Sequence, residues 1–255
     1  MKYDFVAKLQ GNSGSRVSIV RDQSRLCVLK QGKGPFGDHA TVFDTLRLIG
    51  LKTPRVYSTS DVHMLMDYIP GQTIQTYLDS NSGRDLLEYF IRCFELFDQH
   101  SQQSDFTQDI RDKFRELEHS LPPNIILPFS LEELESHVPK VMPRGVCHGD
   151  LSLENILYHE RDFYLIDCSH KQLNSWWLDA AKLSQDLDAH WFIRNQNPSQ
   201  ELLDRLNTIS KQLRETVAPA DDKALNCFML LRVLPYCQTD WDKMFIVNKL
   251  EMLWT

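Results

Sequence analysis

Three oxygen-bearing side chains within one short interval carry the most specific signal in the sequence. In VCHGDLSLENILYHERDFYLIDCSH (146–170), Asp150 is followed after four intervening residues by Asn155, and twelve positions later by Asp167. A carboxylate in a tight turn can take the proton of an attacking hydroxyl, while an amide and a second carboxylate are hard oxygen ligands suited to Mg2+ on nucleotide phosphates. That is the chemistry of phosphoryl transfer, with Asp150 as base and Asn155 and Asp167 as metal ligands. Upstream, Gly11, Ser13, Gly14 and Ser15 lie in a GNSGS loop whose backbone N–H groups can drape over phosphates. Lys30 closes a strand where its ammonium would meet the same phosphates. Taken singly, GNSGS is a hairpin turn and Lys30 a solvated strand end; their order along the chain is what ties them together.

These residues need elements to hold them, and the apolar patterning supplies candidates. YDFVAKL, RVSIV and LCVLK read as strands of an antiparallel meander around GNSGS. Asp38 is placed to N-cap a helix over 39–49, and Gly50 to end it. PRVYS and VHMLMDYI add two strands, giving a five-stranded sheet with one helix. From Thr73 onward helical spacing dominates, in TIQTYL, GRDLLEYFIRCFELFDQHS, QDIRDKFRELEHSL, WWLDAAKLSQDLDAHWFIR and the segments that follow. The exception is a small hairpin, NILYH and FYLIDC around the turn HERD, which would carry Asn155 and Asp167 to one edge. The expected class is α+β: a small β-rich N-lobe (1–66), a hinge (67–72) and a larger α-rich C-lobe (73–255).

HGDLSLENIL followed by YLID resembles the aminoglycoside phosphotransferase and choline kinase group of small-molecule kinases, and the resemblance covers most of the chain. MDYIPG (66–71) is similar to that group's hinge, LFDQH (96–100) to the helix end ahead of its catalytic loop, and WLDAAKL (177–183) to the segment after its metal aspartate. The resemblance implies a protein-kinase-like two-lobed fold with an ATP site between the lobes, the adenine held by the backbone at Asp67 and Tyr68. It also implies that Asp179 braces the catalytic loop and that the acceptor is a small-molecule alcohol. One family feature is missing: no Glu precedes Glu88, so the helix residue that would hold Lys30 must be replaced by Asp38, by Asp44 or by another group.

Composition sharpens the reading by exclusion. The 255 residues carry a net charge of −7, which argues against nucleic acid as a bulk electrostatic partner. Residues 1–66 hold ten Lys/Arg and five Asp/Glu, leaving 18 basic and 30 acidic residues of the totals 28 and 35 for the rest. A basic front suits a polyanionic nucleotide, and an acidic back would attract a cationic acceptor such as an amino sugar or choline. No apolar run is long enough to insert in a membrane, and the six scattered cysteines read as reduced thiols of a cytoplasmic protein. Cys147, His148, Cys168 and His170 lack zinc spacing. Trp176 and Trp177 could line a substrate pocket, with core packing expected for at least one, and the acidic runs LEELE and QDLDAH are expected on solvated helix faces. The sequence therefore points to an ATP- and Mg2+-dependent phosphotransferase acting on an aminoglycoside, a choline-like amino alcohol or a sugar. The alternatives are a kinase of a sugar or glycan precursor for surface polysaccharide, and a nucleotide-binding pseudokinase.

Overall fold

The structure, a computed structural model, describes residues 3–9, 15–32, 34, 36–169 and 172–255. In chain order the elements begin with β1 (Asp4–Leu9), β2 (Arg16–Asp22), β3 (Arg25–Gln31), α1 (Phe36–Leu48), β4 (Val56–Ser60), β5 (His63–Asp67), β6 (Gln72–Thr73), α2 (Ile74–Ser80) and α3 (Arg84–Gln99). There follow β7 (Ser101–Asp105), α4 (Thr107–Ser120), α5 (Leu131–His137), β8 (Val141–Gly145), β9 (Ile156–His159) and β10 (Asp162–Leu165). The chain then continues through α6 (Trp176–Ala189), α7 (Gln200–Thr216), α8 (Ala218–Asp221), α9 (Lys223–Leu231) and α10 (Asp240–Trp254). The chain forms two compact units, one of residues 1–77 with 154–170, the other of 78–153 with 171–255.

The first unit holds the expected five-stranded antiparallel sheet, in the order β1-β2-β3-β5-β4. Val20, Cys27, Leu29 and Leu65 make its apolar face, as alternation along paired strands requires. Helix α1 begins at Phe36, so Asp38 sits in its first turn rather than capping it, a correction to the sequence expectation. Acid in a first turn still favours the helix dipole. The C-terminus is as read: the Gly50 N–H donates to Arg47 O (3.0 Å) and the Leu51 N–H to Leu46 O (3.0 Å), with Gly50 at φ 92°. The hairpin β9–β10 turns through Glu160 and Arg161, both at positive φ, the geometry that matches strand twist in a two-residue turn. It is joined to its unit by β6 pairing with β9, by the Leu165 N–H donating to Lys52 O (2.9 Å), and by a Tyr77–Tyr158–Phe163 ring cluster with centroids 4.5–5.3 Å apart.

The second unit is mainly helical, as expected. Leu86, Phe90, Phe94 and Phe97 recur on one face of α3, the spacing that builds an inward stripe. The larger core gathers α4, α6, α9 and α10, with Phe114 stacked on Phe228 (5.2 Å, 17°) and Leu225, Leu230, Ile246 and Leu250 around them. Trp176 is buried with its Nε1 donating to Asp98 (3.2 Å), as expected for at least one of the pair, and Trp177 is partly buried against the core. The antiparallel pair β7–β8 has no apolar alternation on the β7 side (SQQSD) and is absent from the sequence reading. None of the six cysteines is in a disulfide. No helix among the described residues is long and apolar enough to cross a membrane.

Candidate functional site

In the helical unit the HGD turn is suspended from α6. Gly149 adopts φ 81°, a left-handed conformation that side-chain-bearing residues disfavour, and this turns the chain so that successive amides face α6. The Asp179 carboxylate collects them: the His148 N–H donates to Oδ2 (2.6 Å), the Gly149 N–H to Oδ2 (3.1 Å) and the Leu151 N–H to Oδ1 (3.3 Å). Asp179 is 2% exposed, and burial raises its pKa above the ordinary carboxylate value, opposed by the nearby His148 and the three amides. His148 is fully buried and its Nδ1 accepts from the Asp150 N–H (3.2 Å), so that nitrogen carries the lone pair. The brace expected at Asp179 is present, and His148 shapes the loop.

The next turns of α6 add two residues that sequence reasoning missed. Asp186 is 1% exposed, and its Oδ2 accepts from the Leu153 N–H at 2.8 Å. The expectation of a solvated QDLDAH face is therefore corrected, because Asp186 is consumed in holding the loop. Lys182 places its Nζ 3.8 Å from Asp150 Oδ1. Asp179, Lys182 and Asp186 stand at i, i+3 and i+7, one helix face, and that spacing was the available signal.

In the sheet unit, Lys30 on β3 is 6% exposed and its Nζ donates to Asp167 Oδ1 at 2.5 Å. Asp167, at φ 55°, follows β10 and keeps its side chain 43% exposed. The Ile166 N–H donates to Asn155 O (2.9 Å), so the hairpin brings Asn155 and Asp167 side by side across the 3-10 turn Leu153–Asn155 and the end of β10. Asp167 therefore takes the place of the missing helix glutamate as partner of Lys30. Asp44 is engaged with Arg47, whose Nη1 also donates to Pro54 O, and Asp38 is exposed. Cys168 lies beneath, its Sγ directed at His39 O of α1 (3.9 Å).

The remaining expected residues fall as follows. Gly11, Ser13 and Gly14 lie outside the described residues, as does His170. Ser15 enters β2 beside Gly32, where a Cβ would stand 3.3 Å from Ser15 Oγ. The Asp67 side chain is committed to the sheet, accepting from the Arg55 N–H (3.0 Å) and the Tyr57 hydroxyl, and Tyr68 follows it half-buried. The donor set at Asn155 and Asp167, an amide oxygen and a partly exposed carboxylate, fits a hard cation that completes its shell with phosphate and water. No cluster of three or more His, Cys, Asp or Glu that could hold a metal occurs among the described residues.

A family model described as the phosphotransferase enzyme family matches residues 36–210. No curated protein matches the chain in sequence. Among solved structures, the chain is similar to a thermostable mutant of aminoglycoside phosphotransferase APH(4)-Ia in ternary complex with AMP-PNP and hygromycin B, at TM-score 0.66 and 14% identity, covering 99% of this chain and 94% of that one. It is similar also to an ethanolamine kinase of Plasmodium vivax (TM-score 0.61, 13% identity, 97% and 82% covered). A third likeness is to a fructosamine-3-kinase from Haemophilus somnus (TM-score 0.57, 13% identity, 97% and 92% covered). At these identities the likenesses show the fold, which is of the protein-kinase-like class expected.

Proposed function

From the premise that the chain belongs to the phosphotransferase enzyme family, we propose that it transfers the γ-phosphoryl group of ATP, with Mg2+, to a hydroxyl of a small molecule. The observation that carries this is the buried Lys30 held by Asp167 with Asn155 alongside, a cation and hard oxygen donors in one unit. Lys30 and the Gly11–Ser15 amides would bind the phosphates, and the backbone at Asp67 and Tyr68 the adenine. Asn155 and Asp167 would hold Mg2+, which when bound neutralises charge on the phosphates. Asp150 takes the proton of the acceptor hydroxyl as the oxygen–phosphorus bond forms and the bond to ADP breaks. The loop that carries Asp150 is fixed by Asp179 and Asp186, so its carboxylate needs little reorganisation during the reaction. Six cysteines outside any disulfide suit a reducing cytoplasm, where ATP is also at hand. The acceptor class follows from the family: an aminoglycoside, an amino alcohol or a sugar. The test is ADP release across a panel of those acceptors. Turnover that disappears in Asp150→Asn supports the reading, and turnover retained in that variant refutes it.

A further inference from the structure

Helix α6 meets the loop 148–153 with three charged side chains in a row. Asp179 accepts from the His148, Gly149 and Leu151 amides, Lys182 stands at Asp150, and Asp186 accepts from the Leu153 amide. The row runs with the loop, from its HGD turn to Leu153, and its i, i+3 and i+7 spacing covers about 10 Å of helix axis on one face. Asp179 and Asp186 hold backbone groups. Neither fixes the side chain of Asp150, whose carboxylate lies at the end of two rotatable bonds. Lys182 is the member of the row that reaches it, with Nζ 3.8 Å from Oδ1.

This pair differs from the other lysine ion pairs of the helical unit. Among the described residues, Lys113 meets Glu116 at 2.5 Å and Lys243 meets Asp240 at 2.8 Å, each three residues away on its own helix. Such surface pairs contribute little. Lys182 instead reaches from a helix to a loop, its side chain 17% exposed and that of Asp150 40% exposed. Its neighbours one turn away, Asp179 and Asp186, are both taken by loop amides. At 3.8 Å the contact is an ion pair and too long for a hydrogen bond, the looseness that catalytic contacts show before substrate tightens them. An ammonium at one oxygen of a carboxylate orients the plane of the other and favours the ionised form that can accept a hydroxyl proton.

We propose that Lys182 is a positioning residue for phosphoryl transfer, orienting the Asp150 carboxylate toward the acceptor hydroxyl. This deepens the phosphotransferase reading and rests on it. In the step, the hydroxyl proton passes to Asp150 as the new oxygen–phosphorus bond forms and the bond to ADP breaks. Lys182 gives up no proton and acts through Asp150. One helix then fixes both parts of the base, its backbone through Asp179 and its side chain through Lys182.

The experiment is a double-mutant cycle on the full chain, with ATP, Mg2+ and whichever of kanamycin, ethanolamine, choline, glucosamine and glucose gives the fastest ADP release. Lys182→Met, which keeps the buried stem, should lower kcat by roughly 10- to 100-fold, the cost of a misplaced reacting group. KM for ATP should stay within about twofold, because the interaction lost is with the base and not with the nucleotide. Lys182→Arg, which keeps the charge, should recover part of kcat. Added to Asp150→Asn, Lys182→Met should cost no more than about threefold further, read with radiolabelled ATP, since residues that act as a unit are not additive. A purely structural lysine would lower the melting temperature and multiply its effect onto that of Asp150→Asn. Circular dichroism melting of each variant separates these cases, and if Lys182→Met does not fold, Lys182→Gln carries the same comparison. Unchanged kcat in Lys182→Met, or losses that multiply in the double variant, overturns the proposal while Asp150-dependent turnover keeps the phosphotransferase reading standing. ADP release from none of the acceptors, or turnover retained in Asp150→Asn, refutes that reading and this inference with it.

Discussion

In the sheet unit the buried charge is Lys30, answered by one side chain, Asp167, that remains 43% exposed. In the helical unit the buried charge is Asp179, answered by three backbone amides within the core. The first arrangement is exchangeable, because the Asp167 carboxylate reaches water and can take another partner. The second is fixed, because amides of a folded loop have nowhere else to turn and each would be stranded without its acceptor. On the proposed function, the sheet unit would grip what comes and goes, and the helical unit would hold the base still.

This contrast can be broken at several points. Asp150→Asn should lower kcat by roughly 10²- to 10⁴-fold, the usual worth of a positioned base, with unchanged thermal melting. Unaltered kcat would remove Asp150 from the chemistry. Asp179→Ala should cost about 3 kcal/mol of stability in denaturant titration and lose most activity, since it strands three loop amides. If it melts like the wild type, the loop is held by something else. Lys30→Met should weaken nucleotide binding by about tenfold or more, as read by calorimetry with ATP and Mg2+. Its stability should shift by no more than about 1 kcal/mol, because methionine fills the buried stem and the exposed Asp167 carboxylate is not left dry. A large stability loss there would make the pair structural and erase the contrast.

Titration gives a subtler check. Burial raises the folded pKa of Asp179 above its ordinary 3.8, so its contribution to stability is full below that pH and is lost as pH rises through the raised value. Asp179→Asn cannot titrate, so the stability gap between wild type and variant should narrow as pH climbs from 3 to 7. A gap that widens would mean that the amides outweigh burial. The smallest effect belongs to Asp44→Ala, which removes only an exposed i,i+3 pair with Arg47 and should change stability by less than about 0.5 kcal/mol, with ADP release unaffected. Loss of activity there would restore the α1 carboxylate as a partner of Lys30.

Much of this was legible in the sequence where the signal is local. Apolar spacing found α3, α4, α6 and α7, alternation found the meander, and the order of HGD, Asn155 and Asp167 pointed to the chemistry. What escaped depends on distance along the chain. Lys30 and Asp167 are 137 residues apart, and no local pattern says that the carboxylate, rather than an α1 acid, will meet the lysine. Asp186 has the composition of a solvated helix face and is buried only because the Leu153 amide needs it. Strand β7 forms because β8 lies opposite, its own polar side chains giving no sign of it.

The pairing of β6 with β9 has a consequence for how the chain is assembled. The meander β1–β3 joins sequence neighbours and can form early, but β6 must wait some eighty residues for β9 to be synthesised. By then α3, α4 and α5, which belong to the other unit, have already emerged. The two units are therefore interleaved in time as well as in sequence, and neither can finish folding before the other has begun. A fragment cut after residue 153 would carry the sheet without its hairpin and the helical unit without α6, so neither half could be produced as a working module by itself.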